Sequence, residues 1–323
     1  VDKEGLSGLE AVVRAARLCQ SVRAEIASGG WPGELGKSDG SPVTVADFGA
    51  QAIVCKLIAE SFPGDAIMAE EDGVLLRDTV NAKVLSAVTR YVRGQIDRAD
   101  EESVCAWIDA GRGSAGARYW VLDPIDGTKG FLRHEQYAIA LALIESGTVQ
   151  WGFLACPAFS YGGRAGVVFV AQRGGGARAY GSDKSLLGAV AVSGVREVRR
   201  ARLVESVEAA HGNREVSQRL REALGMAGEA VCMDSQAKYA AVATGQAEVY
   251  LRFPNARTPD YRESVWDHAA GYLVVEEAGG KVSDARGQPL DWTHGRRLET
   301  NTGVVATNSH LHERIIESLD ALL

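Results

Sequence analysis

The chain has 323 residues, of which 46% are hydrophobic, enough for two closely packed domains or one large one. A formal net charge of −7 gives no electrostatic basis for binding a nucleic-acid polymer, and no run of about 18 apolar residues predicts a membrane span. Five scattered cysteines without CxxC or zinc spacing, and no N-x-S/T sequon, fit a reducing compartment, so the expected location is intracellular, in the cytoplasm or an organelle lumen. The chain opens on Val1, which leaves room for a removed presequence or tag.

In chain order, Leu6, Leu9, Val12, Val13, Ala16, Cys19, Val22 and Ile26 recur at three- and four-residue intervals and predict an amphipathic helix over 6–28, ending at Gly29 and Gly30. SPVTVADFGAQ then places Asp47 three residues after Thr44, near the start of a helix running to about Ala59. The short apolar stretch Ala66 to Ala69 reads as a strand ending in Glu70, Glu71 and Asp72, and 74–118 is polar and partly helical. Gly111, Gly113 and Gly116 match GxGxxG, but a strand follows them, whereas a dinucleotide fingerprint needs a strand before and a helix after.

Tyr119 to Leu122 reads as a strand running into a turn that contains Pro124 and Gly127. YAIALALIE, VQWGFLAC and GVVFVA predict a meander of neighbouring strands. Beyond Val195 the pattern alternates: ARLVESV a strand, Arg214 to Leu224 and Gln236 to Ala243 helices, AEVYLRF a strand, Val265 to Glu277 a helix, GVVAT a strand and Leu311 to Leu322 a closing helix. That alternation predicts an α/β second domain, with the division at 1–195 and 196–323.

The chemistry lies in the acidic residues. Asp123 and Asp126 sit at a strand end, where ligands collect in α/β proteins, and two hard oxygen donors there suit Mg²⁺ or Mn²⁺. Glu70 and its neighbours end a second strand, and Asp267 falls in the first turn of a helix, where the macrodipole favours an anion. Each piece alone is compatible with a solvated turn or helix start; their joint occurrence in this order is what points to a metal centre. The six histidines include no HExxH pair, and His268, beside Asp267, reads as a packing or orienting residue.

SPVTVADFGAQ from Ser41, EED from Glu70, YWVLDPIDGTKGFLR from Tyr119, DSQAKYA from Asp234, YLRFP from Tyr250 and YRESVWDHAAG from Tyr261 together resemble the inositol monophosphatase superfamily, and within it the 3'(2'),5'-bisphosphate nucleotidases. The resemblance implies a layered α-β-α-β-α sugar-phosphatase fold, α/β in class (α+β), with two packed subdomains. It implies a lithium-sensitive phosphatase that hydrolyses 3'-phosphoadenosine 5'-phosphate (PAP) to AMP. An inositol phosphatase of the same superfamily and a non-catalytic PAP-binding sensor are the alternatives.

The resemblance also implies a ligand set. Glu70, Asp123 and the Ile125 carbonyl would hold one Mg²⁺, while Asp123, Asp126 and Asp267 would hold a second, with Mn²⁺ able to substitute and a third, weaker ion near Glu71. Asp47 and Thr128 would activate the attacking water. Gly127 and Thr128 would meet the phosphate, and Ser235 and Lys238, three residues apart on one helix face, would meet the nucleotide with Arg252. His211, in EAAHGNRE, departs from the usual pattern and is not carried over. The implied partner is a small nucleotide, acted on by a monomer or homodimer.

Overall fold

The computed structural model describes residues 2–30, 34–36, 42–207, 214–254 and 260–322. Among these, helix α1 (Lys3–Ala27) starts on Asp2, whose side chain accepts from the Gly5 N–H, and a short β1 (Glu34–Gly36) pairs with β2 (Pro42–Thr44) before α2 (Val45–Ser61). The first sheet takes its strands in chain order: β3 (Ala66–Ala69), β4 (Arg118–Asp126), β5 (Ala138–Glu145), β6 (Thr148–Tyr161), β7 (Arg164–Gln172), β8 (Gly176–Gly181) and β9 (Leu186–Ala189). β3 and β4 are parallel, and α3 (Ala82–Arg93) and α4 (Glu101–Asp109) form the crossover such a pair needs. Every other neighbouring pair is antiparallel, the meander expected for β5 to β7. A short α5 (Thr128–Leu132) follows β4.

Alternation along the strands builds two apolar faces. Trp120, Leu122, Leu141 and Phe153 join Val12, Phe48 and Ile53 beneath α1 and α2. Tyr119, Val121, Ala140, Leu154 and Phe169 point the opposite way.

The second sheet is ordered β11-β10-β12-β14-β13, from β10 (Leu203–Glu205), β11 (Val231–Cys232), β12 (Val249–Arg252), β13 (Lys281–Ser283) and β14 (Val304–Thr307). Helices α7 (Ala237–Ala243) and α8 (Ala269–Glu277) lie between the two sheets, in one continuous core with the second face of the first sheet and with Val204, Tyr250, Val304 and Ala306 of the second. They approach closely: a Cβ on Gly271 would stand 2.3 Å from the Tyr239 ring. On the outer face, α6 (Arg214–Leu224) and α9 (His312–Asp320) bury Val216, Leu220, Ile315 and Leu319 against Leu203, Val249, Leu251 and Val305. The result is the layered α-β-α-β-α arrangement.

Differences from the sequence reading have local causes. The expected Val265–Glu277 helix is split into a 3₁₀ turn, Val265–Asp267, and α8. β4 continues through Pro124 to Asp126 instead of turning after Leu122. β8, β9, β11 and β13 are short and were not expected. No helix among the described residues is long and apolar enough to cross a membrane.

Candidate active site

Because β3 and β4 are parallel, their C-terminal ends share one rim of the sheet. The Glu70 N–H donates to the Leu122 carbonyl at 3.2 Å, carrying the pairing one residue past β3. By alternation Glu70 follows Met68, and Asp123 follows Tyr119 and Val121, onto the face covered by α8. Pro124 has no N–H to give, and the register of β4 with β5 slips between Asp123 and Asp126, leaving the Ile125 carbonyl near the Thr128 hydroxyl at 3.3 Å. The chain turns only at Gly127, in the left-handed region at φ 85°, where a Cβ would also stand 2.9 Å from Ser235 Cβ.

Asp47 occupies the third position of α2. Its Oδ2 accepts from the Thr44 N–H at 2.7 Å and the Thr44 hydroxyl at 2.6 Å, a capping box, while Oδ1 accepts from the Thr128 hydroxyl at 3.2 Å. One buried carboxylate thus serves the helix start and reaches Thr128. Further along α2, the buried Gln51 amide grips the acidic turn: it accepts from the Glu71 N–H at 3.0 Å and donates to the Glu71 carbonyl at 2.6 Å and the Ile108 carbonyl at 2.9 Å.

From the second half, the 3₁₀ turn presents Asp267, with His268 ending that turn before α8. Burial raises the Asp267 carboxyl well above the usual range, and the charges of Asp126 and Glu70 add to the shift while Arg252 opposes it. Asp126 is raised by burial too, with Lys238, the Gln236 N–H and Arg252 resisting and Glu70 reinforcing. The structure therefore brings Glu70, Asp126 and Asp267 within electrostatic reach of one another, beside Asp123 on the same rim.

Lys238 is buried in α7, 5.4 Å from the Tyr250 ring, and burial pushes its pKa down to about 8 against the pull of Asp126, Asp234 and Asp267. The shared helix face expected for Ser235 and Lys238 does not exist. Ser235 is not helical but left-handed at φ 68°, and its Oγ accepts from the Ala237 N–H at 3.1 Å at the entry to α7. This conformation presses residue 235 against Gly127. Arg252, at the end of β12, donates its Nε–H to Glu263 at 3.1 and 3.2 Å; Glu263 lies 3.2 Å from His268 Nε2, and His268 Nδ1 lies 2.6 Å from the Tyr239 hydroxyl. Burial would raise Glu263, but Arg252 and His268 outweigh it and hold the carboxyl at about 2. His268 is occupied at both ring nitrogens. His211 lies outside the described residues.

Sequence reasoning missed Glu263, Tyr239, Gln51 and Gln236. A search for the counter-ion that an arginine at a strand end in the interior requires could have found Glu263, which stands in YRESVWDHAAG; the others carry no local signal.

The chain matches the inositol monophosphatase family over residues 8–323. It belongs to that family. Curated relatives include 3'(2'),5'-bisphosphate nucleotidases of Oryza sativa, 41% identical over 96% of this chain and 91% of that protein, and of Schizosaccharomyces pombe, 40% identical over 99% and 96%. Among solved structures, the inositol monophosphatase from Anabaena superposes with a TM-score of 0.63 at 20% identity, covering 98% of this chain and 94% of that one. The extragenic suppressor protein suhB from Bartonella henselae gives 0.66 at 19% identity, covering 98% of each. At these identities the structures speak for the fold.

The inositol monophosphatase family is generally metal-dependent, typically on Mg²⁺. The donor set of this member fits such an ion. Its carboxylates are hard oxygen donors; burial raises Asp126 and Asp267, the neighbouring carboxylates add to both shifts, and divalent cations among them would offset the charge.

Proposed function

We propose that this enzyme is a Mg²⁺-dependent 3'(2'),5'-bisphosphate nucleotidase that removes the 3'-phosphate of PAP to give AMP and phosphate, acts also on the related phosphosulfate, and is inhibited by Li⁺. The supporting observation is an acidic rim, Glu70, Asp123, Asp126 and Asp267, set beside two cations, the buried Lys238 and the half-buried Arg252. Together they offer a metal-binding half and an anion-binding half, as a bisphosphate requires. The nucleotidase relatives favour the same substrate class.

In this reading Glu70, Asp123 and the Ile125 carbonyl hold one ion and Asp123, Asp126 and Asp267 a second, with a weaker third position near Glu71. Mn²⁺ can replace Mg²⁺. When bound, the ions offset the charge of the phosphoryl oxygens and acidify the attacking water. The Thr128 hydroxyl reaches both Asp47 Oδ1 and the Ile125 carbonyl; donating to Asp47, it turns its lone pairs outward to orient that water, and Asp47 is the final proton acceptor. The Gly127 and Thr128 N–H groups receive the phosphate being cleaved; Ser235, Lys238 and Arg252 hold the nucleotide and its remaining phosphate. The site spans the junction of 1–195 and 196–323, taken as two subdomains.

The test compares phosphate release from PAP, inositol 1,4-bisphosphate and inositol 1-phosphate, with Mg²⁺ and with EDTA. PAP should be the best substrate and EDTA should abolish turnover. A preference for inositol 1,4-bisphosphate would replace the nucleotidase reading with an inositol phosphatase.

A further inference from the structure

Asp126 ends β4 of the first sheet and Asp267 lies in the 3₁₀ turn before α8, 141 residues apart in the chain, yet the proposed second ion needs both in one fixed geometry. One buried residue, Gln236, hydrogen-bonds to both carriers. The Gln236 backbone N–H donates to Asp126 Oδ2 at 2.5 Å. Its side-chain Nε2 donates to the Trp266 carbonyl at 2.9 Å, one residue before Asp267, and its Oε1 accepts from the Gly271 N–H at 3.0 Å, in the first turn of α8.

The last of these bonds meets a specific need. The opening N–H groups of a helix lack partners within it, and the His268 side chain makes no capping bond to α8. Gln236 supplies an acceptor from another helix, and with its amide N–H groups it fastens the 3₁₀ turn in front. Both ends of one side chain therefore fix the step between the turn bearing Asp267 and the helix behind it, while the backbone of the same residue fixes Asp126. Few replacements could do this. Asparagine is too short to span both contacts, methionine fills the space without either bond, and an ionised glutamate would face the Trp266 carbonyl with a charge.

We infer that Gln236 is a positioning residue for the metal centre, setting Asp267 against Asp126 so that the ion they share is bound tightly. The inference rests on the metal reading given above. Outer partners of metal ligands are worth roughly ten- to a hundred-fold in affinity, which sets the scale expected here.

The experiment is a Mn²⁺ titration of the full chain, followed by calorimetry and by electron paramagnetic resonance, on wild type, Gln236→Met and Gln236→Glu. Asn308→Leu is the control. It also removes a buried amide that bonds to backbone carbonyls, those of Ser193 and Val195, but it follows β14 at the end of the second sheet opposite Arg252. Gln236→Met should weaken one of two Mn²⁺ ions by about ten-fold or more and leave the other unchanged, whereas Asn308→Leu should lower the melting temperature and leave both ions alone.

Gln236→Glu carries the test if the methionine variant does not fold. Its carboxyl, when protonated, can reproduce both side-chain bonds, so its affinity relative to wild type should recover as the pH is lowered. Two ions bound as in wild type by a destabilised Gln236→Met would reduce Gln236 to a packing role and overturn the inference alone. A wild-type protein that binds no Mn²⁺ would overturn the metal reading, and this inference with it.

Discussion

Asp47 is the residue for which structure and chemistry make separable demands, and Asp47→Asn separates them. Its Oδ2 takes two bonds from Thr44, so the amide oxygen of the variant will settle there, where both donors are. The NH₂ group is then left facing Thr128 Oγ1, and the link that ran from hydroxyl to carboxylate is reversed in polarity. The helix start keeps most of its capping box, and a buried charge disappears, so the stability cost should be small, about 1 kcal/mol. Catalysis, in contrast, loses its proton acceptor, and general-base groups are worth roughly 10²- to 10⁴-fold in rate. Thr128→Ala cuts the same link from the other side and leaves the Thr44–Asp47 bonds untouched; it should lower kcat comparably with almost no change in melting temperature. The double variant should be little worse than either single one, because the two residues act as a unit. The assay is steady-state phosphate release from PAP at saturating Mg²⁺, alongside calorimetric melting. Should Asp47→Asn melt lower but retain kcat within ten-fold of wild type, Asp47 is a helix cap and the water-activating dyad does not exist.

Asp123→Asn should abolish turnover and leave the fold intact, with melting in EDTA unchanged or higher because crowded carboxylates repel; a tenth of wild-type kcat remaining would remove Asp123 from the metal set. Lys238→Ala should raise KM for PAP about ten-fold, or 1.4 kcal/mol, with kcat less affected, and an unchanged KM would exclude the contact. Millimolar Li⁺ should inhibit without competing with substrate, and an uninhibited enzyme would count against the nucleotidase reading. His312 is buried between Ser283 and Thr307, and burial, with Lys281 adding to it, pushes its pKa from 6.5 down to about 4. As the pH falls from 6.5 to 4 the unfolded chain takes up that proton and the folded one does not, so stability should fall across the window, by about 3 kcal/mol at most. Urea midpoints for wild type and His312→Gln should converge toward pH 4; parallel profiles would show that His312 titrates normally.

The first sheet was readable because its strands alternate strictly: Tyr119 and Val121 face one layer and Trp120 and Leu122 the other, a period-two signal that survives in a single sequence. Strands of two to four residues, such as Val231–Cys232 and Lys281–Ser283, are too short to show a period and exist because neighbours already in place offer them partners. The acidic residues were visible as types at strand ends. How the DSQ segment meets the DGT turn was not, because Ser235 takes a left-handed conformation that its own sequence does not demand and that contact with Gly127 accompanies. The same holds for Gln51 and Gln236, uncharged residues whose bonds reach across the fold, in Gln236 to residues 110 positions earlier and 35 later. Polar amides of this kind carry no pattern.

The helical layer between the sheets has a consequence for synthesis. The inner face of the first sheet, with Ala140, Leu154 and Phe169, is complete once β9 has emerged at Ala189, but α8, which covers it, ends at Glu277. At about 5–20 residues per second, that interval leaves a wide apolar surface open on the ribosome for roughly 4 to 18 s. During those seconds the nascent chain presents a sheet with one apolar side uncovered, the kind of transiently exposed surface on which aggregation begins.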